Sequence, residues 1–187
     1  MRRSICLLCL TLPLAACGSG GPTVSATNAS AADVQAKIAA AGGDGQMVKP
    51  GRWEGTMKID DMKMPLLPPD QQAKIGDKLG KENKIVSCVT PEEVKANKAF
   101  FTGNDDKSCK YDHFTLGGGK LDAAMACGEA DSKMTGTMVG TYSSDRYTMT
   151  VTSDTTGPKN QPYATMSTKM TVDMKRVGEC RGTEDKE

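Results

Sequence analysis

The side chains in this sequence that could do chemistry are one histidine, His113, an acidic loop around Asp105-Asp106, twelve methionines and seven cysteines. A general base needs a positioned nucleophile and an orienting partner. No G-x-S-x-G, H-E-x-x-H or phosphate-cradling loop supplies them around His113, so a structural or surface histidine is expected there and no catalytic residue is assigned. Thr102-Gly103-Asn104-Asp105-Asp106 lacks the ligand spacing of a dedicated calcium loop and reads as a solvated turn. The methionines are the unusual feature: Met57, Met62, Met64, Met125, Met134, Met138, Met149, Met166, Met170 and Met174 fall mostly at positions expected to face inward. Thioethers are ligands for Cu(I). These residues are scattered over several strands, however, and Met is also the residue that fills irregular interiors, so core filling is the stronger reading and no metal site or cofactor is assigned.

The cysteines divide by position. Arg2 and Arg3 precede an apolar run from Ile5 to Leu14, followed by Ala15, Ala16 and Cys17. The run is shorter than the roughly 20 apolar residues a spanning helix needs, and it reads as a cleaved export signal over residues 1–16. A cysteine directly after small residues resembles the bacterial lipoprotein signature, which implies Cys17 as the site of lipid attachment and a membrane-anchored protein. Each buried methylene of an acyl chain contributes about 0.8 kcal/mol, so several chains would hold it firmly. Gly18, in place of an aspartate, favours the outer membrane with the domain facing the periplasm; a soluble periplasmic protein is the alternative. Cys6 and Cys9 leave with the signal. Cys88, Cys109, Cys127 and Cys180 remain, an even set in an oxidising compartment, and predict two disulfides.

The elements that position these residues follow in order. Residues 17–47 read as a lipidated cysteine and flexible tether, Gly18 to Asn28 being small and polar. Within it Ser30 could cap a short helix to about Ala41, with Val34 and Ile38 on one face and Gly42-Gly43 as its stop. The domain is placed at 48–181 and a disordered tail at 182–187. After Pro50-Gly51, the alternation of Trp53, Gly55, Met57 and Ile59 with polar residues predicts a strand with Trp53 inward. A surface helix is expected over 70–81. A strand over 84–89 leads into Thr90-Pro91-Glu92-Glu93, a capping-box helix start, with the helix running to 99–101. Strands 109–116 and 121–127 flank Gly117-Gly118-Gly119-Lys120 as a hairpin. Three more strands are expected over 133–142, 146–153 and 163–177. The fold class is therefore all-β with short helices: a curved antiparallel meander, barrel-like or partly open.

The hairpin register bears on the disulfides. A four-residue loop pairs Leu116 with Leu121 and Phe114 with Ala123, and it turns Tyr111, His113 and Cys109 away from the core face. A three-residue loop would oppose Cys109 to Cys127 but pairs Leu116 with Lys120. Because one slip flips every side chain, the apolar match decides, and Cys88–Cys109 with Cys127–Cys180 is the expected pairing.

Pro50-Gly51-Arg52-Trp53-Glu54, Cys88-Val89-Thr90-Pro91-Glu92, the spaced Cys109 and Cys127, Gly140 with Tyr142, and Gly178-Glu179-Cys180 together resemble the exported bacterial family known as domain of unknown function 3617, over about Val48 to Cys180. The resemblance implies export and frequent lipidation, and it brings no activity, cofactor or catalytic residue.

Loss of Arg2 and Arg3 leaves 22 basic against 23 acidic residues, and the absence of a basic patch excludes a nucleic-acid partner. The expectation is a monomeric, non-enzymatic envelope lipoprotein that binds an apolar small molecule or lipid within its sheet. Trp53, Met57, Met134, Met138, Met149, Met166 and Met170 are the candidate interior residues, and Gly136 and Gly140 leave room among them. The alternatives are a filled domain contacting another envelope protein and, more distantly, a periplasmic copper-binding protein.

Overall fold

A computed structural model describes residues 23–41, 48–80, 82–95, 108–129, 131–158, 160–161 and 164–184. The export signal with Cys17, Gly42-Gly43, the acidic loop, the end of the helix after Pro91 and the start of the last strand at Tyr163 lie outside them.

The strands are β1 (Val24–Ser30), β2 (Gly51–Lys63), β3 (Asn83–Val89), β4 (Cys109–Gly117), β5 (Lys120–Glu129), β6 (Ser132–Tyr142), β7 (Arg146–Thr156) and β8 (Met166–Gly178). They form one antiparallel sheet in the order β1-β4-β5-β6-β7-β8-β2-β3, not closed on itself. Among the described residues three helices, α1 (Ala31–Ala40), α2 (Pro69–Leu79) and α3 (Pro91–Lys95), sit between strands. Strands β4 to β7 follow one another through connections of two or three residues, as the period-two alternation and turn residues predict, and nine residues lie between β7 and β8.

Both helix starts marked by capping signals form as expected. In α3 the Thr90 amide donates to Glu93 Oε2 at 2.8 Å and the Glu93 amide donates to Thr90 Oγ1 at 3.2 Å. In α1 the Ser30 amide donates to Asp33 Oδ2 at 3.2 Å and the Asp33 amide donates to Ser30 Oγ at 3.1 Å. The Ser30 hydroxyl, which donates to Asp33 Oδ2 at 2.7 Å, and after it the Ser30 amide hold the Asp33 carboxyl below its usual range.

The stretch before α1 departs from the sequence reading. Val24–Ser30, expected as spacer, is an edge strand paired along β4, with Val24, Ala26 and Ala29 buried. Helix α1 then folds back so that Val34 and Ile38, each 1% exposed, pack with Tyr111, Phe114, Leu116, Leu121 and Ala123. Val24, Ala26 and Ala29 share one buried cluster with Val34 and Ile38. Residues 24–41 therefore belong to the folded domain. Ile38→Ala is expected to cost about 2–4 kcal/mol, the loss typical of a buried aliphatic side chain, in urea unfolding. A dangling helix would cost almost nothing.

The second correction is in the hairpin. Leu116 pairs with Leu121 and Phe114 with Ala123, as expected, yet Cys109 also faces Cys127. A β-bulge reconciles the two: the register shifts between Tyr111 and His113, and Asp112 has no partner on β5. Asp112 and His113 are both exposed, and Tyr111 and Cys109 return to the buried face. The disulfides are accordingly Cys109–Cys127, with Cα atoms 3.9 Å apart, and Cys88–Cys180, 5.4 Å apart. The expected pairing of Cys88 with Cys109 and Cys127 with Cys180 is incorrect.

The third correction concerns the tail. Residues 182–184, placed in a disordered end, form a turn in which Glu184 is buried. Glu184 accepts from the Arg181 amide at 2.6 Å and the Thr183 amide at 3.0 Å, and its carboxylate lies 3.5 Å from the buried Arg52 guanidinium. The Arg181 amide chiefly holds the Glu184 carboxyl down at about 2, from an ordinary 4.5. A depressed carboxyl stabilises the fold above its unfolded value and loses that contribution as pH falls through the folded one. Protection of the Arg181 amide from hydrogen exchange is thus expected to persist at pH 5 and to fall away between about 4.5 and 2. Glu184→Gln should remove this pH dependence.

Candidate functional site

The inner face of the sheet is set by register. Tyr111 on β4 faces Met125 on β5, Met125 faces Gly136 on β6, and Gly136 faces Ser153 on β7. One step along, Ala123, Met138, Val151 and Met170 form a row from β5 to β8. These eight residues, with Met134, Thr137 and Thr152, line one cavity of about 240 Å³ that is partly open to solvent. In a flat sheet β4 and β8 would stand about 19 Å apart, four strand spacings. Tyr111 and Met170 share one cavity of this size only because the sheet curls, so the curvature makes the site.

The lining is almost wholly apolar. Burial raises the Tyr111 phenol above its ordinary value, so the one ionisable group of the row stays neutral at physiological pH. Tyr111 also packs edge-on against Phe114, ring centres 5.5 Å apart, which fixes this wall to the core beneath α1.

The structure divides the expected interior residues. Met134, Met138 and Met170 line the cavity. Met149 packs against the core cluster that holds Val34, Ile38 and Phe114. Met57 and Met166 are half-buried and lie outside the lining. Trp53 faces inward as expected, but it is wholly buried in a second cluster with Val48, Val94 and Met174 and is no part of the cavity wall. Alternation gives Met125 an inward face, although it is not among the candidates named from the sequence, and the same alternation turns Tyr111 outward, whereas Tyr111 is buried and lines the cavity. The break in alternation from Tyr111 to Phe114 was the available signal for the latter.

The two glycines singled out as space-makers differ. A Cβ on Gly140 would meet the Thr148 carbonyl oxygen at 2.4 Å, so close strand approach requires that glycine. A Cβ on Gly136 would meet nothing closer than the Thr152 oxygen at 3.4 Å. Gly136 is thus free to leave the cavity its volume.

His113 lies on the opposite face, exposed, its Nε2 2.9 Å from Asp122 Oδ1. Neither residue lines the cavity. Among the described residues no group of three or more His, Cys, Asp or Glu could hold a metal ion, and no helix is long and apolar enough to cross a membrane.

These features define an open, disulfide-stapled antiparallel β domain with an apolar cavity on its curled inner face. The chain belongs to the family described as Protein of unknown function (DUF3617), whose model matches residues 48–180. The match begins after β1 and α1. No curated protein and no solved structure is matched.

Proposed function

We propose that this protein is a non-catalytic envelope lipoprotein that takes up one small apolar group in the cavity between β4 and β8. The observation that carries the reading is the cavity itself, open at one side and lined mainly by Met, Val, Ala and a neutral Tyr, with Thr137, Thr152 and Ser153 adding little polar surface. Its size limits the occupant. It exceeds the ~150 Å³ apolar cavity that admits benzene and falls below the roughly 300–1,000 Å³ of drug-sized sites. A ring system or the end of one acyl chain fits; an entire phospholipid does not. Flexible methionines suit occupants of varied shape.

Titration with N-phenyl-1-naphthylamine tests this. Saturable one-to-one binding is expected, with loss of binding in Gly136→Leu, which fills the space without striking backbone. Absence of saturable binding, or unchanged binding in that variant, would overturn the reading. Gly140→Ala should instead destabilise the fold by about 1–3 kcal/mol through overpacking.

A lipid on Cys17 would anchor the protein to a membrane, and Gly18 in place of an aspartate favours the outer membrane, with the domain facing the periplasm. Residues 18–23 separate Cys17 from the start of β1 at Val24, and six residues span at most about 20 Å. The β1 edge would then stand close to the bilayer. Metabolic labelling with a palmitate analogue should mark the protein, and Cys17→Ser should abolish the label.

A further inference from the structure

Three thioethers of the cavity are arranged about one glycine. Gly136 faces Met125 across the β5–β6 pair, while Met134 and Met138 are its neighbours on the same face of β6, two positions to either side. Diagonal positions in an antiparallel pair are about 7–8 Å apart, within reach of long side chains. Since Gly136 projects nothing, the space above it is where three flexible side chains can converge. Met170 brings a fourth thioether to the same cavity from β8, by way of Val151. The sequence scatters these residues over 46 positions (125 to 170 inclusive), and only the curled sheet gathers them.

Thioethers are neutral, soft donors that select Cu(I). The four described cysteines are held in disulfides, and no alternative cluster of His, Cys, Asp or Glu occurs among the described residues. Burying charge in an apolar site is costly, and a monovalent ion costs far less than a divalent one. Both arguments point to the same kind of ion. We propose that Met125, Met134 and Met138, with Met170 as a fourth donor, form a binding site for a soft monovalent cation, Cu(I) or its filled-shell analogue Ag(I). The open side of the cavity admits the ion and leaves room for a water or anion beside it.

This site shares its cavity with the apolar-ligand reading but does not rest on it, and one variant separates the two. Met125→Leu/Met134→Leu/Met138→Leu keeps the apolar volume and removes the sulfur. The experiment is titration of the oxidised full chain with Ag(I), followed by native mass spectrometry, with Cu(I) competition against bicinchoninate as a second readout. One Ag(I) per chain and no Zn(II) uptake are expected for the natural protein. The triple variant should bind Ag(I) at least tenfold more weakly while still binding the naphthylamine. Met57→Leu, at a residue outside the lining, should bind Ag(I) unchanged. No Ag(I) uptake by the natural protein, equal uptake by the cavity variant, or loss confined to the second variant would each overturn the proposal.

Discussion

Replacing Cys88 and Cys180 by serine is expected to lower the unfolding free energy by about 4–5 kcal/mol, against about 3 kcal/mol for Cys109→Ala/Cys127→Ala. The difference comes from loop length. Cys88–Cys180 spans 92 residues and Cys109–Cys127 spans 18, and the entropy that a cross-link removes from the unfolded chain grows with the logarithm of the loop. The short bridge lies inside the long one, so with both intact the effective outer loop is shorter by about 18 residues, a correction of only about 0.2 kcal/mol. Position reinforces the ranking. Cys109–Cys127 joins strands already paired along the hairpin, whereas Cys88–Cys180 fastens the edge strand β3 to the chain beyond β8. Losing it should raise amide exchange in β3 ahead of the rest of the sheet. Urea unfolding of the two double variants measures the energies, and peptide mapping without reduction checks the connectivity. A linked Cys88–Cys109 peptide would contradict it.

The hairpin marks what could and could not be read from the sequence. Its apolar register follows from Phe114, Leu116, Leu121 and Ala123, and the structure keeps it. Extending that register rigidly to Cys109 fails because Tyr111-Asp112-His113-Phe114 places two polar residues between apolar ones, where strict alternation allows one. The extra residue is absorbed by a bulge at Asp112. Strand β1 carries the matching break, Ala26-Thr27-Asn28-Ala29, and Asn28 takes φ of 49° there. Asparagine tolerates that left-handed backbone better than most residues. Strong local signals, the capping boxes and the long strands of alternating methionine and threonine, were legible because each rests on nearby residues. Strand β1 was not. Its small residues have little intrinsic preference for extended structure, and pairing with β4 beneath α1 supplies the stabilisation. The cavity was legible only in part, since alternation assigns a face to each methionine while the curl of the sheet decides which faces meet.

Trp53→Ala is expected to destabilise the protein by about 3–5 kcal/mol, the range for removing a large buried aromatic. Trp53 is 0% exposed and occupies the centre of the cluster that ties β2 to β8, α3 and the segment before β2. Its indole Nε1 donates to the Lys49 carbonyl at 3.1 Å, and its ring lies 5.5 Å from that of Tyr147, tilted by 38°. Alanine leaves a void and an unpaired carbonyl, whereas Trp53→Phe retains most of the burial and loses chiefly the hydrogen bond, at about 1–2 kcal/mol. The ordering of the two variants separates packing from hydrogen bonding. As the sole tryptophan, Trp53 also reports its own surroundings by fluorescence. Because it lies outside the cavity lining, naphthylamine and Ag(I) should leave its emission maximum unchanged, while unfolding should shift it to the red. A blue shift on ligand addition would place the occupant in the second cluster. Equal destabilisation by phenylalanine and alanine would mean that the Lys49 contact, rather than ring volume, holds the start of β2 in place.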